Sequence, residues 1–228
     1  MRAWRAALCL DPGLRRDDNV VESPKFKAFA RLQPKRRICG RQPSTVNLAL
    51  VEGLEINVVP SKALAAAARE SLLDLCSQAY QEDFTAYLQL LSPAVHVCGW
   101  LDESLVSHAA WVDRLLYVDD TTVLKTAYIE AVATHPDHQR RGFASAVLSS
   151  IPPLLDEYDL AALAPTDASY YRRLGWELWE GPLSYLDPSG VDMPTPEEQV
   201  MIYRLPRTPA SLSLRAKLTT RWRPIEVW

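Results

Sequence analysis

The segment from Glu130 to Ala144, EAVATHPDHQRRGFA, brings several kinds of chemical group close together. Glu130 is a carboxylate inside an apolar run, IEAVA, where a charge needs a partner or water. A carboxylate so placed can take a proton from a substrate group, directly or through a water. Arg140 and Arg141 put positive charge in the turn that follows. Gln139, Gly142, Phe143 and Ala144 lie between the strand and a helix start, where amide N–H groups lack partners inside the helix. With the helix dipole, such amides suit a phosphate or pyrophosphate. Gly142 permits close backbone approach, and Ala144 is small. On these residues alone two readings stand: a pyrophosphate cradle, or a basic turn that binds nothing. A Walker loop is excluded, because the GKS or GKT ending is missing. A nicotinamide dinucleotide fingerprint is excluded by the missing triple glycine.

A second group follows in ASYYRRLGWE, where Tyr170 and Tyr171 precede Gly175 and Trp176. A phenol with a pKa of about 10 arrives protonated and can act as an acid. Either tyrosine could equally pack against a sheet. His108, in an apolar strand, reads as a hydrogen-bonded core residue. His135 and His138 flank the basic turn without partners for a metal site. The cysteines Cys9, Cys39, Cys76 and Cys98 form no Cys-x-x-Cys pair, so zinc and redox motifs lack support. Cys76 reads as a small core residue, and a reducing compartment is the simplest setting.

The elements that must position these groups follow from pattern. Leu54–Val59 reads as a first strand, with Ser61 as a helix cap before a helix over 63–80. A short helix is expected over 83–91, and strands over His96–Trp100 and Leu105–Val112. The strand Thr122–Ala133 ends in a continuous apolar run, which suits a central strand covered on both faces. A helix over 143–155, a strand over Leu160–Ala164, a helix over Ala168–Leu174 and closing strands at Trp176–Trp179 and Val200–Leu205 complete the reading. Residues 181–199, with four prolines, read as a long loop. The order predicts an α/β (α+β) domain over residues 47–228, with a mixed, mostly antiparallel sheet flanked by helices.

Charge divides the chain. Residues 1–46 carry 11 basic and 4 acidic side chains, against 14 and 24 in the remainder. The leader shows no sustained period and reads as a flexible basic extension, although its charge could favour nucleic acid. The acidic body attracts cationic small molecules and repels nucleic acid. No apolar stretch is long enough to span a membrane, and a cytoplasmic location is expected.

The run EAVATHPDHQRRGFASAVL resembles motif A of the Gcn5-related N-acetyltransferases, with Gln139, Gly142 and Ala144 at its key positions. ASYYRRLGWE resembles that family's second signature. Within the family, the stretches AYQEDF, VSHAAWVDRLLYV, YYRRLGWELWEGPLSYLDPSG, the TPEEQ loop and the closing WRPIEVW resemble the aminoglycoside 2'-N-acetyltransferases. The resemblance runs from about Leu54 to Trp228.

The resemblance implies an acyl-CoA N-acyltransferase fold, acetyl-coenzyme A as cofactor and a homodimer. The implied reaction is acetylation of the 2'-amino group of an aminoglycoside, an activity tied to antibiotic resistance. The cofactor's pyrophosphate would lie on Gln139, Arg140, Arg141, Gly142, Phe143 and Ala144. Its pantetheine arm would meet the backbone of Val132 and Thr134, where the strand splays from its neighbour. Glu130 is then the base and Tyr171 the acid, chosen over Tyr170 by its spacing to Gly175. Asp83, Thr166, Glu198, Glu226 and the carboxylate of Trp228 would face a cationic amine, with Trp228 also in the catalytic set. Two departures bear on the acceptor. Glu stands at 198 and 226 where the family tends to have Asp, and no second acidic residue appears near Leu88. Other small polyamines, amino sugars or protein amines therefore stay open as acceptors. A non-catalytic relative that binds coenzyme A or nucleic acid also stays open.

Overall fold

The computed structural model describes residues 51–228, and the expectation of a flexible extension over 1–46 falls outside them. Strand β1 (Leu54–Pro60) leads through a 3-10 turn to helix α1 (Ala66–Tyr80) and the short helix α2 (Thr85–Leu90). Strands β2 (Val95–Leu101), β3 (Ser104–Val118) and β4 (Thr122–Thr134) form an antiparallel meander. Helix α3 (Phe143–Ser150), strand β5 (Leu160–Leu163) and helix α4 (Ala168–Arg172) follow. Five short strands finish the chain: β6 (Glu177–Leu178), β7 (Leu183–Leu186), β8 (Asp192–Pro194), β9 (Met201–Arg204) and β10 (Leu218–Arg221).

The sheet order is β6-β9-β5-β4-β3-β10-β7-β8, with β2 also on β3 and β1 on β2. Only β4–β5 and β7–β10 run parallel, so the sheet is mixed and mostly antiparallel, as expected. β3 is long enough to hold two partners on one edge, β2 along its first half and β10 at its end. Helix α1 packs on β3 and β4, and α3 packs on β2, β3 and β4.

Local sequence explains most boundaries. Leu72, Leu75, Cys76 and Ala79 form the buried stripe of α1, spaced for one helical face. That helix starts later than expected, and Ser61 does not cap it. Pairing of Pro60 with Val95 draws Ser61 inward, where its hydroxyl accepts from Ala94 N at 3.0 Å. Helix α3 stops at Ser150 because Pro152 and Pro153 cannot continue an α-helical ladder. The expected loop over 181–199 contains β7 and β8, and β10 had no counterpart in the pattern. These strands are three or four residues long, too short to show a period.

β4 is central, between β3 and β5, and nearly all of it is buried. Its register against β3 slips between His108 and Ala110, and Ala131 has a left-handed backbone, φ 50°. Ala127, Ile129 and Val132 pack in the cluster that contains α3 residues Val147 and Leu148. Ala131 and Ala133 pack in the cluster that contains α1 residues Leu72 and Leu75. The alternation therefore shifts phase at Ala131, as a β-bulge requires.

Candidate active site

β4 and β5 pair only at Thr126–Tyr128 with Leu160–Ala162. Beyond Tyr128 they diverge, and a cavity of about 60 Å³ lies in the opening. Ile129–Val132 line it from β4, and Leu163, Ala164 and Pro165 from the β5 side. Backbone groups left between diverging strands need partners. An extended amide-bearing chain such as pantetheine fits that need.

Glu130 lines this cavity and is itself buried. Its Oε2 accepts a 2.6 Å hydrogen bond from the Tyr87 hydroxyl. Its Oε1 is ion-paired with Nη2 of Arg223, from the segment after β10. Pairing offsets the desolvation that a lone buried charge would suffer. The Arg114 guanidinium stacks 4.5 Å from the Tyr128 ring centre and donates to Thr220 Oγ1 at 2.6 Å. Burial and the neighbouring Arg223 push Arg114 down to about 10. Among the described residues the buried Tyr128 hydroxyl has no hydrogen-bond partner.

Tyr171 also lines the cavity, and burial raises its phenol further above the usual range. Tyr170 turns elsewhere, its hydroxyl 3.1 Å from Ser145 Oγ on α3. The helix α4 that carries both is capped by Asp167, whose side chain accepts from Ser169 N. Gly175 then turns the chain at φ 87°.

Glu198, Glu226 and Trp228 line the same cavity, brought there by the β8–β9 loop and the chain end. Trp228 is buried, and its indole donates to Thr195 Oγ1 at 2.9 Å, tying the terminus to the loop that carries Glu198. Thr166 is exposed and adjoins the lining residue Pro165. Asp83 is not brought into the cavity. It is exposed, and its carboxylate accepts from Thr85 N at 2.9 Å, starting α2 and holding its pKa below the usual value.

Past the bulge, Val132 O accepts from the Tyr80 hydroxyl at 3.2 Å, and Thr134 Oγ1 meets Ser107 Oγ at 3.1 Å. Beyond β4, Gly142 stands before α3 at φ 86° with no side-chain cap. Among the described residues a Cβ there would meet only Val51, at 3.6 Å. Gln139 is half-buried, while Arg140 and Arg141 are exposed. Among the described residues neither arginine pairs with a carboxylate; Arg141 contacts His138 Nδ1 at 2.9 Å. Phe143 is a core side chain and can offer a ligand only its amide, whereas Ala144 is half-buried. An uncapped helix start beside two exposed arginines fits a pyrophosphate. No cluster of His, Cys, Asp or Glu suited to a metal occurs among the described residues.

Tyr80, Tyr87, Tyr128, Arg114 and Arg223 were not legible as site residues. Tyr128 had one signal, its position two residues before Glu130 on the same strand face. Arg223 lies within WRPIEVW, where the sequence points to the carboxylates and the two tryptophans but not to the arginine. A second cavity of about 840 Å³ lies between the ends of β2 and β10, and Arg223 lines it too.

A splayed central pair, a carboxylate and a buried phenol at its opening, and a glycine-led helix start thus lie along β4 and the turn that follows it. Residues 62–179 match the acetyltransferase (GNAT) domain family. The chain is 36% identical over 168 residues to the aminoglycoside 2'-N-acetyltransferase of Mycolicibacterium fortuitum, spanning 70% of this chain and 85% of that protein. Its fold is similar to that of the GNAT family N-acetyltransferase YhbS from Escherichia coli, solved in complex with CoA. That likeness has a TM-score of 0.51 at 16% identity, covering 73% of this chain and 90% of that one. The chain belongs to the GNAT acetyltransferase family and is an acetyl-coenzyme A-dependent N-acetyltransferase.

Proposed function

We propose that the protein acetylates a primary amine of a cationic small molecule, the 2'-amino group of an aminoglycoside. The observation that carries this reading is the grouping of Glu130, Tyr171, Glu198, Glu226 and Trp228 around one opening between β4 and β5. The similarity to the M. fortuitum enzyme supports the acceptor class.

Acetyl-coenzyme A supplies the activated acetyl group. Backbone groups of Val132 and Thr134 hold its arm, and the amides of Gly142, Phe143 and Ala144 with Gln139, Arg140 and Arg141 hold its pyrophosphate. Glu130 takes the proton that the ammonium sheds, so that a neutral amine attacks. The Tyr171 hydroxyl gives a proton to the leaving sulfur as the carbon–sulfur bond breaks. The new amide nitrogen gives its second proton back to the Tyr171 phenolate, directly or through water, and Glu130 releases its proton to solvent. The cavity admits an amine head, and the rest of a larger acceptor lies toward Glu198, Glu226 and the terminal carboxylate, each able to pair with a further ammonium.

The test is thiol release from acetyl-coenzyme A with a panel of aminoglycosides, spermidine and glucosamine. Turnover of members that carry a 2'-amino group, with the product acetylated there, is expected. Absence of release with every such member would sink the acceptor assignment. Much faster turnover of spermidine or glucosamine would reassign it.

A further inference from the structure

We propose that His108, backed by His96 and Ser61, is a positioning residue for acetyl transfer, because it holds the β4 bulge from which Glu130 and Val132 project. The functional part of this inference rests on the reading of Glu130 and β4 given above.

A continuous buried chain of polar contacts reaches the bulge. Ser61 Oγ is 3.0 Å from His96 Nε2, His96 Nδ1 is 3.1 Å from His108 Nε2, and His108 Nδ1 is 2.8 Å from Ala131 O. All three side chains are buried, and His108 is wholly so. The last contact sets the direction of the others. A carbonyl oxygen only accepts, so His108 Nδ1 carries a hydrogen. A neutral His108 then accepts at Nε2. His96 then donates from Nδ1 and accepts at Nε2 from the Ser61 hydroxyl, whose single hydrogen is shared with Ala94 O at 3.1 Å. Burial favours these neutral rings, lowering His96 to about 4 and His108 to about 3, and Arg69 pushes His96 the same way.

The bond matters because of where it lands. Ala131 is an alanine in the left-handed region, which an L side chain occupies only where its surroundings hold it. Its two neighbours are Glu130, in the cavity, and Val132, whose carbonyl lies on the path proposed for the pantetheine arm. If Ala131 relaxed to ordinary strand, every residue beyond it would exchange faces. Val132 would leave the α3 side, and the backbone beside the opening would turn away from it. The imidazole chain thus couples the end of β1 to the strand that carries the reaction.

Three replacements separate a donor from a space-filler. His108→Asn keeps an N–H near the Nδ1 position, His108→Gln places its amide near Nε2, and His108→Leu has no donor. We expect His108→Gln and His108→Leu to lower acetyl-coenzyme A affinity and kcat by roughly tenfold or more, as misplacement in a positioned site does. His108→Asn should stay within about threefold of wild type on the same scale. Equal damage in all three, or none in any, overturns the proposal. A measurement on the unaltered protein guards against variants that do not fold. Nitrogen NMR of the imidazoles should find both rings neutral with hydrogen on Nδ1 across pH 5–8. Hydrogen on His108 Nε2, or protonation of His108 in that range, overturns the proposal. Failure of Glu130 as base would appear as an unchanged rate profile in Glu130→Gln, leaving the tautomers and acetyl-coenzyme A affinities as they are.

Discussion

Glu130 is held from two sides, by the Tyr87 hydroxyl and by Arg223, and faces the opening between β4 and β5. Tyr171, the proposed donor, lines the same cavity. Burial keeps that phenol protonated, as an acid should be before transfer. Glu130→Gln keeps an acceptor for Tyr87 but removes the charge that pairs with Arg223 and, on the proposed mechanism, the base. We expect kcat to fall by about 10²-fold, within the usual range for a positioned base. The loss should be greater at pH 6 than at pH 9, because the acceptor arrives protonated at the lower pH and needs the base more. Steady-state rates over that range check it. An unchanged profile assigns the proton to another group. A melting curve should be run beside it, since an uncompensated buried Arg223 destabilises the fold.

At the scale of elements, the turn from β4 into α3 acts through its backbone. Gly142 has a left-handed conformation, and among the described residues a Cβ there would make only an ordinary contact, with Val51 at 3.6 Å. Gly142→Ala is therefore a conformational perturbation rather than a steric one, costing about 1–2 kcal/mol. If the helix-start amides hold the pyrophosphate, the strain is relieved by rotating those amides away. The KM for acetyl-coenzyme A should rise by roughly tenfold, about 1.4 kcal/mol, while the acceptor KM stays unchanged. Gly142→Asn should do less harm, because asparagine tolerates this region better. Equal shifts in both KM values would separate the turn from the cofactor.

At the scale of the molecule, the two buried imidazoles make stability depend on pH. Both are depressed in the folded protein, His96 to about 4 and His108 to about 3, whereas the unfolded chain takes up these protons near about 6.5. Their contribution is present above about 6.5 and is lost as the pH falls toward the folded values. At pH 5 the loss is about 2 kcal/mol for each ring. Carboxylates with lowered pKa, such as Asp167 and Asp187, respond only at still lower pH, so the window from 7 to 5 isolates the histidines. Urea unfolding at pH 7, 6 and 5 should show a falling midpoint. A flat midpoint would mean that the imidazoles are not buried as neutral rings. Among the described residues no helix is long and apolar enough to cross a membrane.

Sequence alone determined what depends on short-range pattern: the buried stripe of α1, the central character of β4, the strand–turn–helix around Gly142 and the tyrosine-to-Gly175 spacing. Each is set by backbone geometry within a few residues, where side-chain period and glycine placement act directly. It could not reveal β7, β8 and β10, whose three or four residues gain their stability from neighbours distant in the chain. Nor could it place Asp83, whose carboxylate accepts from Thr85 N in the turn before α2 rather than facing the cavity, because turn formation and ligand binding ask for the same carboxylate. Tertiary structure alone decided that Tyr171 enters the site while Tyr170 turns to α3. It also decided that Arg223 meets Glu130 and that the strand changes phase at Ala131. The run IEAVA reads as uniformly apolar after Glu130, so periodicity carries no mark of the bulge. That phase is set by hydrogen bonding from β3, across the sheet.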